Sequence, residues 1–179
     1  MSRISKKFQV MSLLVIAALV MPAALMAQGS KTDFSGSWSY DAARSTTGQG
    51  QGQRPGGQDR GGFGGGDFTA KQDGNSLTVE RTMNAPDGAT RTVSSKYTLD
   101  GKESVNTSRM GESKSVATWS SDGKKLTIKT TRTMTRNGES RTITSTEVWS
   151  LTDSKTLQIE TTMPSPDGER KMTSVYVKK

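Results

Sequence analysis

Three stretches of this chain repeat one local pattern. Asp73-Gly74 leads into Leu77-Thr78-Val79 and Arg81-Thr82-Met83. Asp122-Gly123 leads into Leu126-Thr127-Ile128 and Arg132-Thr133-Met134, and Leu157-Gln158-Ile159 leads to Met163. A returning segment of the same kind follows each: Thr90 to Leu99, Ser140 to Leu151, Lys171 to Val177. Apolar residues at every second position have the period of a half-buried strand, and two such runs about a tight turn make a hairpin. Repeated hairpins of this kind build meanders and barrels. The repeat therefore predicts an all-β chain, an antiparallel up-and-down meander closing into a barrel of about 8–10 strands.

Reading the rest by the same period predicts ten strands, at roughly 34–40, 67–72, 76–83, 90–99, 103–109, 114–120, 124–134, 140–151, 156–163 and 170–177. The turns fall into two alternating sets. Asp73-Gly74-Asn75, Asp100-Gly101-Lys102, Asp122-Gly123-Lys124 and Thr152-Asp153-Ser154 form one; Pro86-Asp87-Gly88, Asn137-Gly138 and Pro166-Asp167-Gly168 form the other. Gly or Asn supplies the positive φ of tight hairpins. In a meander alternate turns lie at opposite ends, so each set marks one end of the sheet.

The 179 residues are enough for one domain. The first of them read differently. A basic start (Arg3, Lys6, Lys7), an apolar run from Val10 to Val20 and small residues ending at Ala27 have the order of a secretory signal. The run is too short for the roughly 20 residues that span a bilayer. The expected organisation is a signal peptide at 1–27 and a domain at 28–179, hence a periplasmic or secreted protein. From Gly48 to Gly66 the chain is dominated by Gly and Gln, a composition expected to stay disordered as a loop. Arg60-Gly61-Gly62-Phe63 is one copy of an Arg-Gly-Gly pattern, too little to imply a nucleic-acid partner.

Composition excludes several chemistries. There is no cysteine, so no lipoprotein anchor or disulfide, and no histidine, which removes Ser-His-Asp and Cys-His catalysis and the usual zinc ligands. The net charge of +8 falls to +5 once the three basic signal residues are removed, a mildly basic surface of mixed sign.

Strand parity sorts the faces. One carries Leu77, Val79, Arg81 and Met83; Arg91, Val93, Ser95, Tyr97 and Leu99; Leu126, Ile128, Thr130, Arg132 and Met134; Ile143, Ser145, Glu147, Trp149 and Leu151; Leu157, Ile159, Thr161 and Met163; Met172, Ser174 and Tyr176. The other is rich in Thr, Glu and Lys and is assigned to solvent. A transmembrane barrel needs an apolar outer band, and either orientation here would put charge into lipid at about 2–4 kcal/mol per Arg. The inner face is graded. Leu, Ile, Val and aromatic residues gather near the Asp-Gly turns, and Arg, Ser, Thr and Met near the Pro-Asp-Gly turns. One end reads as a packed floor, the other as a polar mouth.

On the first strand, Phe34, Gly36, Trp38 and Tyr40 share a face. Gly36-Ser37-Trp38 resembles the Gly-x-Trp of lipocalin-like (calycin) barrels. The wider run Phe34-Ser35-Gly36-Ser37-Trp38 with Asp41 and Ser45, and the closing Trp149-Ser150-Leu151 and Val175-Tyr176-Val177-Lys178, resemble a group of small exported bacterial proteins of unassigned function. The resemblance implies a lipocalin-like barrel with a basic residue set against the Trp, here Lys178. Ten strands is nearer the fatty-acid-binding proteins, which hold their ligand with Arg and Tyr.

The candidate ligand-binding residues are Arg81, Arg132, Tyr176, Arg91 and Glu147, above a floor that includes Trp38, Trp149 and Tyr97. Two inward Arg residues over an apolar floor would hold a carboxylate or phosphate by charge-assisted bonds, with the floor taking an acyl or aromatic tail. The competing reading is that they pair with Glu147 or reach solvent. Met83, Met134, Met163 and Met172 read as an adaptable wall rather than a metal site. Glu147 has no second carboxylate on its face to work with as a general base. The expectation is thus a non-enzymatic monomer without cofactor or metal, carrying a small amphipathic anionic ligand; a non-catalytic envelope interaction or structural module is the alternative.

Overall fold

The structure is a computed structural model. It describes residues 30–46, 65–84, 89–108, 111–136 and 139–179. The predicted signal segment 1–27 and most of the Gly-rich segment 48–66 lie outside these residues.

Ten strands follow one another without a helix among the described residues: β1 Gly36–Thr46, β2 Phe68–Asp73, β3 Ser76–Asn84, β4 Thr90–Thr98, β5 Glu103–Ser108, β6 Gly111–Trp119, β7 Lys125–Arg136, β8 Glu139–Asp153, β9 Thr156–Ser165 and β10 Gly168–Lys178. All pair antiparallel with their chain neighbours except β4 with β5, and β1 also pairs with β10, giving the order β4-β3-β2-β1-β10-β9-β8-β7-β6-β5. The result is a nearly closed barrel, and the expected meander is present strand for strand.

The first expected strand is corrected at one point. Phe34 lies ahead of β1, not in it, yet is fully buried. The segment before β1 is tied across the end of the barrel. Thr32 N donates to Gly123 O at 2.9 Å, and Gln72 Nε2 donates to Thr32 O at 3.1 Å. Phe34 is thereby inserted as a plug, stacked on Trp119 at 5.8 Å and edge-on to Trp149.

The ends of the sheet order are joined by side chains. Lys96 N donates to Asn106 Oδ1 at 2.7 Å and Asn106 Nδ2 donates to Lys96 O at 3.0 Å, so one amide makes the two bonds a strand residue would. Thr98 N donates to Ser104 Oγ at 2.8 Å beside it. Register shifts occur in β1 between Asp41 and Thr46 and in β8 between Leu151 and Asp153. Both fall outside the rungs from Leu126 to Arg132, so parity holds there: these two residues share the inner face.

The three repeats become three equivalent hairpins. Leu77 stands opposite Tyr97, Leu126 opposite Trp149 and Leu157 opposite Tyr176. The three leucines are fully buried, and Val79, Ile128 and Ile159 above them nearly so. Each such side chain stabilises the fold by roughly 1.5–3 kcal/mol. The core therefore sits where the Asp-Gly turns close the hairpins, with Gly74, Gly101 and Gly123 at positive φ.

Candidate functional site

Above the leucine level lies a row of buried polar groups with a single construction. For three of the floor aromatics, Trp149, Tyr97 and Tyr176, the hydrogen-bond partner stands two residues earlier on the same face. Trp149 Nε1 donates to Glu147 Oε2 at 2.9 Å. The Tyr97 hydroxyl is hydrogen-bonded to Ser95 and that of Tyr176 to Ser174. A buried phenol or indole needs such a partner, and a strand supplies it most simply from position i−2. Trp119 shows the rule by its failure: position i−2 is Ala117, and the Trp119 Nε1 is buried without a partner. Trp38 uses another route, donating to Phe34 O at 3.0 Å.

Charge converges on the tyrosines. Burial pushes the Tyr97 hydroxyl up, Glu147 adds to the shift, and Arg81 and Arg132 oppose it. Burial likewise raises Tyr176 to about 12, opposed by Arg81 and reinforced by Glu147. Both hydroxyls are therefore protonated donors at neutral pH. Arg81, Arg132 and Glu147, from β3, β7 and β8, act on one central space.

Arg81 is half-buried with its guanidinium over the Phe68 ring, 5.0 Å from the centroid. Such stacking contributes about 0.5–2 kcal/mol and leaves the in-plane donors directed outward from the ring edge. Among the described residues no acceptor takes those donors. Arg132 is also half-buried and lines a small pocket of about 40 Å³ with Thr130, Met134, Ile143 and Ser145. Beside it Ser115 and Thr130 share a hydrogen bond of 2.9 Å. That volume holds a few waters, far below the roughly 300–1,000 Å³ of a drug-sized site.

The predicted residues are thus placed as follows. Arg81, Arg132, Tyr176, Tyr97 and Glu147 meet electrostatically in the centre. Trp38 and Trp149 are buried in the floor. Lys178 stands over Trp38, its Nζ 5.5 Å from the ring, and its Cε would lie 2.6 Å from a Cβ on Gly36. Tyr97 belongs to the floor by its ring and to the polar row by its hydroxyl. Arg91 is half-buried, one turn of the pleat from the centre and opposite Met83. Glu147 is engaged by Trp149 rather than ion-paired with Arg81. Sequence reasoning missed Phe68, which stacks on Arg81 and packs edge-on against Tyr176 at 4.9 Å. Its alternation with Ala70 and Gln72 carried the signal, in a strand of only six residues.

No family model and no curated protein matches the chain. Solved structures do. Zebrafish ileal bile acid-binding protein, crystallised with cholic acid, superposes with a TM-score of 0.52 at 19% identity, over 82% of this chain and 98% of that one. A point mutant of the fluorescent protein UnaG gives a TM-score of 0.41 at 22% identity, over 63% of this chain and 70% of that one. The first of these, with the ten-strand order, gives the conclusion on architecture: the chain has the fold of that bile acid-binding protein, a nearly closed antiparallel barrel of ten strands.

Proposed function

We propose that the protein is an exported, non-enzymatic carrier of a small amphipathic anion, lipid-like or fatty-acid-like, whose head group is held at Arg81. The supporting observation is the Arg81 guanidinium itself. It stacks on Phe68, without an acceptor among the described residues, and its charge acts on the hydroxyls of both Tyr97 and Tyr176. An anion there would receive charge-assisted bonds in a partly desolvated space, at about 1.5–3 kcal/mol each. The zebrafish protein, which has the same architecture, was crystallised with a ligand that is likewise an amphipathic acid. The export reading rests on the basic, apolar and small segments of residues 1–27.

The tail must find room. Met134, Met163 and Met172 are half-buried around the mouth, and Met repacks at low cost. The small pocket volume supports a second reading, a packed envelope module without a small ligand. Titration with 1-anilinonaphthalene-8-sulfonate, competed by oleate, separates the two. The carrier reading expects saturable binding that falls at least ten-fold in R81Q and further in R81Q/R132Q, with unchanged circular dichroism. Undiminished binding in the double variant removes the arginines from the site. Absence of saturable binding in the wild type favours the packed module.

A further inference from the structure

Toward the mouth each of the three hairpins has a rung of the same kind. Met83 stands opposite Arg91 in the ladder, Met134 opposite Arg141 and Met163 opposite Arg170, and the three arginines share the parity of the strand positions that line the barrel. In the first and third hairpins the series is identical in kind: Leu opposite Tyr, Val or Ile opposite Ser, one variable rung, then Met opposite Arg. The second hairpin is one rung longer. Arg91 and Arg170 are half-buried there and Arg141 is exposed, so the same residue type faces Met in each hairpin across different degrees of burial.

Charge on the lining positions of this end is one-sided. The lining positions of the mouth half hold Arg81, Arg91, Arg132, Arg141 and Arg170 against Glu139 and Glu147. Glu139 stands opposite Arg136 in the ladder, and Glu147 is bound by the Trp149 indole. The ion pairs of the described surface lie elsewhere: Asp41–Arg44, Asp100–Lys102, Glu103–Lys114 and Asp67–Lys179. Arg141 and Arg170 have no carboxylate within ion-pairing distance among the described residues. The closed end, by contrast, carries Asp33, Asp73, Asp100, Asp122 and Asp153 at or near its turns.

We infer that the rim formed by Arg91, Arg141 and Arg170 selects amphiphiles whose head group carries two or more negative charges, a phosphate monoester rather than a single carboxylate. This rests on the carrier reading and specifies its substrate class. Arginine suits the role because its planar fork binds phosphate oxygens in pairs, and a second charge on the head group engages the rim while the first engages Arg81. Met134 and Met163, opposite two of these arginines, supply adaptable apolar contact at the neck of the ligand.

The test is competition against 1-anilinonaphthalene-8-sulfonate at pH 8, where dodecyl phosphate is doubly charged and dodecanoate singly. Dodecyl phosphate is expected to compete at about ten-fold lower concentration, with a steeper loss of affinity as salt rises. In R91Q/R141Q/R170Q that advantage should shrink to two-fold or less while dodecanoate binding changes little; in R81Q both ligands should weaken. Equal competition by the two amphiphiles in the wild type overturns the inference and leaves the carrier reading standing. Loss of both ligands in the rim variant overturns it too, because the rim would then not discriminate. If inorganic phosphate competes as well as dodecyl phosphate, the rim binds free anions and is no part of an amphiphile site. Failure of both amphiphiles to bind removes the carrier reading and this inference with it.

Discussion

At the closed end of the barrel Leu77, Leu126 and Leu157 face Tyr97, Trp149 and Tyr176, and rings run in contact from Trp119 through Phe34, Trp149, Phe68 and Tyr176 to Tyr40. At the mouth the same strands present Met opposite Arg, with small hydroxyls from Ser113, Ser115, Ser145 and Thr161 beneath. The floor uses rigid side chains with few rotamers, so ordering them costs little and burial stabilises much. The mouth uses long, rotamer-rich side chains that lose up to about 2 kcal/mol of entropy when fixed. Apolar packing and charge are thus separated along one axis: the floor holds rigid, buried rings, and the mouth carries long, charged side chains.

The largest expected effect tests that division directly. Trp149→Ala removes the centre of the ring contacts and should cost about 3–5 kcal/mol in urea unfolding, whereas Met163→Ala at the mouth should cost about 1 kcal/mol or less. Equal losses would break the comparison. Alkaline pH reaches the floor through its tyrosines. The Tyr176 hydroxyl is raised to about 12 from an unfolded value near 10, so the native state keeps a proton that the unfolded chain releases. Its contribution is complete below pH 10 and is lost as pH rises toward 12, on the order of 2 kcal/mol. Tyrosinate absorbance should show Tyr176 and Tyr97 titrating late, with Tm falling over the same window; a Tm constant between pH 10 and 12 would contradict the assignment.

A finer contrast lies within the floor. Trp149→Phe strands Glu147 without its indole donor, at about 1–3 kcal/mol, while Trp119→Phe removes a donor that already lacks a partner. The two variants should differ by that amount in chemical denaturation. The smallest effect belongs to the outer face, where Thr133→Ala, which loses an exposed hydroxyl contact to Thr142, should change stability by no more than about 0.5 kcal/mol.

Most of the inner face was legible because a strand has a period of two, and Leu77-Thr78-Val79 announces which side is buried without reference to any partner. The same parity placed Arg81 and Arg132 with Tyr176 and Glu147, and the Asp-Gly turns assigned the ends. Three features were not legible. Phe34 reads as a strand residue, but its burial depends on Gln72 and Gly123, far along the chain. The closing of β4 on β5 depends on Asn106, which has no sequence signature as a surrogate for backbone. Whether Glu147 would meet an arginine or Trp149 was open until the rotamers were fixed.

Local alternation and turn chemistry by themselves determined the strands, the meander, the buried face and the grading from apolar to cationic, because each depends only on residues a few positions apart. The tertiary structure alone decided how the sheet closes, what plugs it and which charge meets which ring. Those outcomes depend on curvature and shear summed over ten strands, which bring distant residues within contact distance and which no single stretch of chain encodes.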